Sequence, residues 1–305
     1  MCPISLNAPE DAHQSQDDAK DFCTSSIYLD NMFFFLRHSS EKIRAHLEHE
    51  FVCSRKVLEL IICAPYDYNN NWTLAVSKYR NTIYMCQLQN EAFGVPLFDH
   101  GQLKKAMWMK KLRQHFLESR PLNVGQIEVD QQTNECGQFY GVFSMAINGM
   151  RLLFDAPVLA NRCPNTNTTE FVDLQLRSGS MNRKEWAEYN LTEGLKLWAQ
   201  TFLVGIQNIY FAYYNSEGIV QRIKTKTVRE LYEDCRNDWS ANWCATFLAR
   251  FLDTIRKLMA TVDCPDLVYM FDYDAKNGTI NYRVAEDRNQ HSFIPDWYKN
   301  QLRSL

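Results

Sequence analysis

The chain is expected to fold as α+β, with a mixed, mainly antiparallel sheet core and flanking helices. Two observations predict this. Tight-turn signals recur between apolar runs, at Asn148-Gly149, Asn215-Ser216-Glu217-Gly218 and Asn277-Gly278, and each closes a hairpin rather than a strand–helix–strand crossover. Two long segments, 182–204 and 240–262, instead repeat apolar residues at helical spacing, so helices must lie against that sheet. With 305 residues, 46% of them hydrophobic, and no internal repeat, a single domain over 26–305 is expected after a polar, acidic arm at 1–25.

The elements follow in order. The run at 28–36, with Met32, Phe33, Phe34 and Phe35, reads as a core element beside the arm, in preference to an exposed interface. The apolar stretch 51–62 reads as a strand. Strands at 72–76 and 82–88 pair through Tyr79-Arg80-Asn81. Over 102–120, Leu103, Met107, Leu112, Phe116 and Leu117 approximate one helical face, while Lys104, Lys105, Lys110, Lys111 and Arg113 supply a basic one; Trp108 is assigned to core packing. The polar stretch 124–136 reads as a loop.

Strands 139–147 and 150–155 flank Asn148-Gly149, whose residues suit the positive φ angles of a type I′ turn. A strand at 170–178 leads into the helix 182–204, with Ala187, Leu191, Leu195, Trp198 and Phe202 on its buried face. At about 100° per residue Lys196 and Gln200 lie about 40° apart and are expected to project away from the core. Strands 208–214 and 219–224 form a hairpin. The apolar residues of the helix 240–262 are Cys244, Phe247, Leu248, Phe251, Leu252, Ile255, Met259 and Val262, Pro265 marks its end, and a last hairpin spans 267–284.

Composition excludes several function classes. A net charge of −3 confines any nucleic-acid contact to a local patch; the basic face at 104–113 is the best local candidate for phosphates. No apolar run is long enough to span a membrane, and the first 25 residues lack a signal-peptide pattern. The ten cysteines contain no Cys-x-x-Cys pair, which argues against a zinc ribbon and for buried thiols in a reducing compartment. The histidines form no His-Glu-x-x-His motif.

The chemistry-bearing pattern is one of loss. Many nucleases hold Mg²⁺ with an acid on one strand and Glu-x-Lys on the next. Here the second strand offers Asp173-Leu174-Gln175, one acid with an amide in the place of the Lys. Asp155 is the nearest substitute acid, about 13 Å along the strand from Leu159, and would need a register shift at Pro157 to serve.

The ordered series Trp72-Thr73-Leu74-Ala75-Val76, Leu197-Trp198-Ala199-Gln200-Thr201-Phe202, Asn215-Ser216-Glu217-Gly218 and Phe293-Ile294-Pro295-Asp296-Trp297 resembles the DXO-type family of RNA 5′-end decapping enzymes and 5′–3′ exoribonucleases. The resemblance covers roughly 51–298 and implies two sheets with helices outside and a cleft between them. It maps the family's Arg onto Arg55, and the Glu of its Gly-x-x-x-Glu helix onto Gln114. It maps Glu-x-Asp onto Pro157 and Leu159, Glu-x-Lys onto Asp173 and Gln175, and a helical Lys and Gln onto Lys196 and Gln200. The resemblance thus implies RNA-side residues Arg55, Asp173, Lys196 and Gln200, degenerate positions Gln114, Pro157, Leu159 and Gln175, and no bound metal.

This pattern of loss is similar to a non-catalytic insect germline branch of the family, which implies a nuclear protein with the chromatin partners Rhino and Deadlock. Three readings stand. The chain is a silent DXO-like protein that binds RNA 5′ ends or nuclear partners and shields nascent transcripts from decapping, decay or termination. Alternatively, it is an active decapping enzyme or exoribonuclease dependent on Mg²⁺ or Mn²⁺. The third reading is a protein-interaction scaffold without RNA affinity.

Overall fold

The computed structural model describes residues 4–5, 29–37, 48–88, 100–117, 139–165, 168–285 and 290–303. The strands are β1 (Ile4–Ser5), β2 (Phe51–Ser54), β3 (Trp72–Tyr79), β4 (Thr82–Leu88), β5 (Phe139–Ile147), β6 (Met150–Val158), β7 (Ala160–Asn165), β8 (Thr168–Ser178), β9 (Asn208–Tyr214), β10 (Ile219–Thr227), β11 (Cys264–Asp274) and β12 (Thr279–Ala285). The helices are α1 (Asp30–Arg37), α2 (Arg55–Cys63), α3 (His100–Phe116), α4 (Arg183–Tyr189), α5 (Leu195–Val204), α6 (Val228–Cys235), α7 (Ala241–Leu258) and α8 (Asp296–Arg303).

Among the described residues the strands make two sheets, in the orders β1-β10-β9-β8-β7 and β12-β11-β3-β4-β2-β6-β5. Pairing is antiparallel except where β2 runs parallel to β4 and β6, and β8 to β9. The α+β class and the two-sheet arrangement are therefore as the sequence implies.

Alternation along the strands builds three cores. Phe51, Leu74, Val76, Leu152 and Phe154 point to one side and join Ile209, Phe211 and Tyr213 of the other sheet, together with α2, α5, α6 and α7. The intervening Val52, Ala75 and Leu153 point the opposite way, under α1 and α8, where Met32, Phe33, Leu36 and Tyr298 cover them. On the five-stranded sheet, Trp108 and Leu112 of α3 cover Leu174, Leu176 and Ala212. No helix among the described residues is long and apolar enough to cross a membrane.

Five expectations need correction. The stretch 51–62 is a strand only to Ser54, where extended backbone (φ −91°, ψ 155°) starts α2. Val57, Leu58, Ile61 and Ile62 then recur at helical spacing and are all buried. In α3 the buried residues are Trp108 and Leu112, so the apolar face is rotated from the expected one and Met107 and Phe116 are exposed.

The helix expected over 182–204 is interrupted by a π turn at Asn190–Gly194. Its cause lies outside the segment: Trp239 Nε1 donates to the Asn190 carbonyl (2.9 Å), and Asn190 Nδ2 to Asp238 Oδ2 (2.8 Å). Beyond it α5 packs against both α2 and α6, so Lys196 and Gln200 are half-buried rather than projecting outward, and Phe202 is exposed. Within the arm, Ile4 and Ser5 pair with Val220 and Ile219 of β10.

The rest of the arm and the loop 124–136 lie outside the described residues. The run at 28–36 enters α1, with Met32, Phe33 and Leu36 buried and Phe34 exposed.

Candidate functional site

Two helices and two strands bring the candidate residues together. Because α2 begins directly at the end of β2, Arg55 occupies its first turn, and Glu59 and Cys63 follow at four-residue intervals on the same face. On α5, Lys196 and Gln200 repeat that interval. The two ladders meet: Gln200 Nε2 donates to Glu59 Oε2 (3.0 Å), and the Lys196 charge bears on the Cys63 thiol. Glu59 is only 4% exposed and also lies 3.7 Å from Lys56 Nζ.

Asp173 comes from β8. Its parallel register with β9 pairs Asp173 with Ile209 and Gln175 with Phe211, which places both on the face of the largest core. The carboxylate is held from within its own strand: Oδ1 accepts from the Leu174 N–H (2.8 Å) and Oδ2 from Gln175 Nε2 (3.0 Å). Burial raises the Asp173 carboxyl above its ordinary range, against the lowering effects of these bonds and of the Arg113 and Arg55 charges. Burial in turn pulls both guanidiniums below their ordinary values, opposed in Arg55 by Glu59 first and then Asp173, and in Arg113 by Asp173. The result is a network in which the guanidiniums of Arg55 and Arg113 are set against two carboxylates, Asp173 and Glu59.

Of the residues singled out in the sequence, Arg55, Asp173, Gln175, Gln200 and Lys196 therefore converge, Lys196 at the Cys63 end. Gln114 does not: it is exposed on α3, and its neighbour Arg113 carries the charge interaction with Asp173. Pro157 contributes only a carbonyl, which accepts from Arg55 Nη1 (3.4 Å). Leu159 sits at the break between β6 and β7 and packs with Trp108 and Leu112. Asp155 offers no rescue, because its carboxylate is hydrogen-bonded to Asn31 of α1, on the side of β6 that carries Leu153.

These residues do not fit a divalent cation. A hard ion of this kind requires several oxygen ligands with uncompensated charge, whereas Asp173 is already satisfied by two donors and two nearby guanidiniums. Among the described residues no group of three or more His, Cys, Asp or Glu lies close enough to hold a metal. What the cluster holds instead is paired charge, Arg55 and Arg113 against Asp173 and Glu59, with Lys196 at its Cys63 end. Sequence reasoning missed Glu59 and put Arg113 on an exposed basic face, whereas it is half-buried beside Asp173. The first was legible as the residue four positions after Arg55, once 55–63 is read as a helix.

Comparison with known proteins agrees with this architecture. The family model described as RAI1-like PD-(D/E)XK nuclease matches residues 1–299. The chain is 37% identical over 315 residues to Protein cutoff of Drosophila melanogaster, covering 99% of this chain and 81% of that protein. It is 30% identical over 250 residues to the Decapping and exoribonuclease protein of Bos taurus, covering 79% of this chain and 62% of that protein. The crystal structure of Scheffersomyces stipitis Rai1 in complex with (3′-NADP)⁺ and calcium ion superposes with a TM-score of 0.67 at 13% identity, covering 84% of this chain and 75% of that one. That last likeness concerns the fold alone. On the family match and the identity to Protein cutoff, the chain belongs to the RAI1-like PD-(D/E)XK nuclease family.

Proposed function

We propose that this chain is a non-catalytic member of its family, one that holds RNA 5′ ends and nuclear protein partners instead of cutting RNA. The observation that carries the proposal is the Asp173 cluster. Where the family's chemistry would need clustered carboxylates and a cation, the chain has Arg55 and Arg113 beside an internally bonded Asp173 and a Glu59 bonded to Gln200, an apolar contact at Leu159 and an amide at Gln175. Guanidiniums of this kind favour phosphate but do not activate water.

The similarity to Protein cutoff supports placing this activity in the germline nucleus, in piRNA-cluster transcription with Rhino and Deadlock as partners. There it would shield nascent transcripts from decapping, decay or termination.

The test is an assay of cap and nucleotide release from capped, 5′-triphosphate and 5′-monophosphate RNA with Mg²⁺ or Mn²⁺. No turnover is expected, and millimolar Mn²⁺ should leave the thermal midpoint unchanged, because an ion that does not bind the native state does not stabilise it. Metal-dependent turnover lost in Asp173→Ala would overturn the proposal.

A further inference from the structure

The Asn148-Gly149 turn determines which backbone groups of β5 are used. Its φ angles of 47° and 80° belong to a two-residue hairpin, so Ile147 and Met150, which flank the turn, are a hydrogen-bonded pair. Counting back by twos, Met145, Phe143, Gly141 and Phe139 also bond β6. The N–H and C=O groups of Tyr140, Val142, Ser144 and Ala146 therefore point away from β6, along the outer edge of the seven-stranded sheet. Among the described residues no strand pairs with that edge.

Sheet edges are normally blunted against further pairing. Strand β10 carries Arg222, Lys224 and Lys226 and a register break between Val220 and Arg222. Strand β7 carries Arg162 and a register break of its own, and β12 carries Arg283. Strand β5 has none of these devices. Its sequence from Phe139 to Ile147 includes no charge and no proline, and its pairing with β6 runs without a bulge. None of its residues is buried, and Phe139 is 50% exposed.

Phe139, Gly141, Phe143, Met145 and Ile147 share the face that meets the largest core, where Phe143, Met145 and Ile147 are only partly buried. The Phe143 ring leans back over Gly141: a Cβ added at that glycine would lie 2.8 Å from it. An uncharged apolar edge is matched by a second uncharged strand and repelled by none. Among the described residues, β5 is the only sheet edge of more than two residues that lacks a charge, so within this chain the strand that suits β5 is β5 itself.

We infer that β5 is an interface between two copies of this chain, paired antiparallel about a two-fold axis at Phe143. That register sets Tyr140 opposite Ala146 of the second copy and Val142 opposite Ser144, so every outward N–H and C=O of both strands finds a partner. An axis moved to Val142 or Ser144 would leave Ala146 or Tyr140 without one. On the core face, Phe139 meets Ile147, and Gly141 meets Met145, whose thioether reaches the Phe143 ring that covers the glycine. A single ladder falls in the class of small interfaces, below roughly 1,200 Å², so the dimer is expected to form at micromolar concentrations, about 1 µM and above. It does not depend on whether the chain binds RNA.

The experiment is sedimentation velocity on the full chain from about 1 to about 100 µM. The weight-average mass should rise from 35.8 kDa towards twice that value. Ser144 is exposed, and across the proposed axis it stands diagonally about 7 Å from its own copy. Ser144→Lys and Ser144→Glu should therefore each hold the chain monomeric, with a thermal midpoint matching that of the parent. Ser144→Ala, which also loses the bond to His49 Nε2 (2.8 Å), should still dimerise. An equimolar mixture of the Ser144→Lys and Ser144→Glu variants should recover the dimer, because opposite charges then face each other across the axis. A parent chain that stays monomeric at about 100 µM overturns the interface. So does a dimer that survives Ser144→Lys, since its contact lies elsewhere. A mixture that stays monomeric overturns the axis at Phe143.

Discussion

Asp155 is 6% exposed, its Oδ1 has no hydrogen-bond partner among the described residues, and burial pushes its carboxyl from 3.8 up to about 6. Asn31 and Arg55 act in the opposite sense but do not cancel that rise. The folded state therefore binds this proton more tightly than the unfolded chain does. The resulting stabilisation is complete below about pH 4 and is lost as pH rises through about 6. A two-unit shift corresponds to about 3 kcal/mol. Asp155→Asn keeps the acceptor that Asn31 uses and removes the titration. Its urea-unfolding free energy should exceed that of the parent by about 1 to 3 kcal/mol at pH 8 and by progressively less towards pH 4. An equal difference at both pH values would contradict this account. The same residue shows why an acid near a degenerate site need not be its replacement, because side-chain direction decides which face it serves.

At the scale of elements, α5 separates what local chemistry predicts from what packing decides. Helical spacing alone puts Phe202 in the core. In the structure Phe202 is 45% exposed and stacks on Trp198 (5.1 Å), while Leu203 is 6% exposed. Leu203→Ala should then cost about 2 to 5 kcal/mol and Phe202→Ala about 1 kcal/mol or less, read from thermal or denaturant unfolding; the reverse order would restore the sequence-based face.

The hairpins were legible because their turns are written locally. Asn148 and Gly149 take φ of 47° and 80°, and Arg80 and Asn81 take 52° and 63°. The β2–α2 junction was not, because a short apolar run suits either a buried strand or a buried helix. Nor was the π turn, whose determinants, Asp238 and Trp239, lie 48 and 49 residues downstream. The site was legible to the same degree. Arg55, Asp173 and Gln200 followed from the family's motif order, whereas Glu59 depended on the missed helix and Arg113 on the rotation of α3.

Across the whole molecule the charge balance is −3, so long-range attraction does not gather RNA, and binding must rest on a few local cations. On α3, Lys105 pairs with Glu193 of the π turn (2.6 Å) and is neutralised by it, whereas Lys104 is exposed and lies 4.8 Å from the centre of the Trp108 ring. If RNA runs along the basic face of α3, Lys104→Glu should reduce by about 0.7 the magnitude of the slope of the logarithm of affinity against the logarithm of salt concentration, because one phosphate contact is lost. A slope unchanged in Lys104→Glu would place the RNA on another surface.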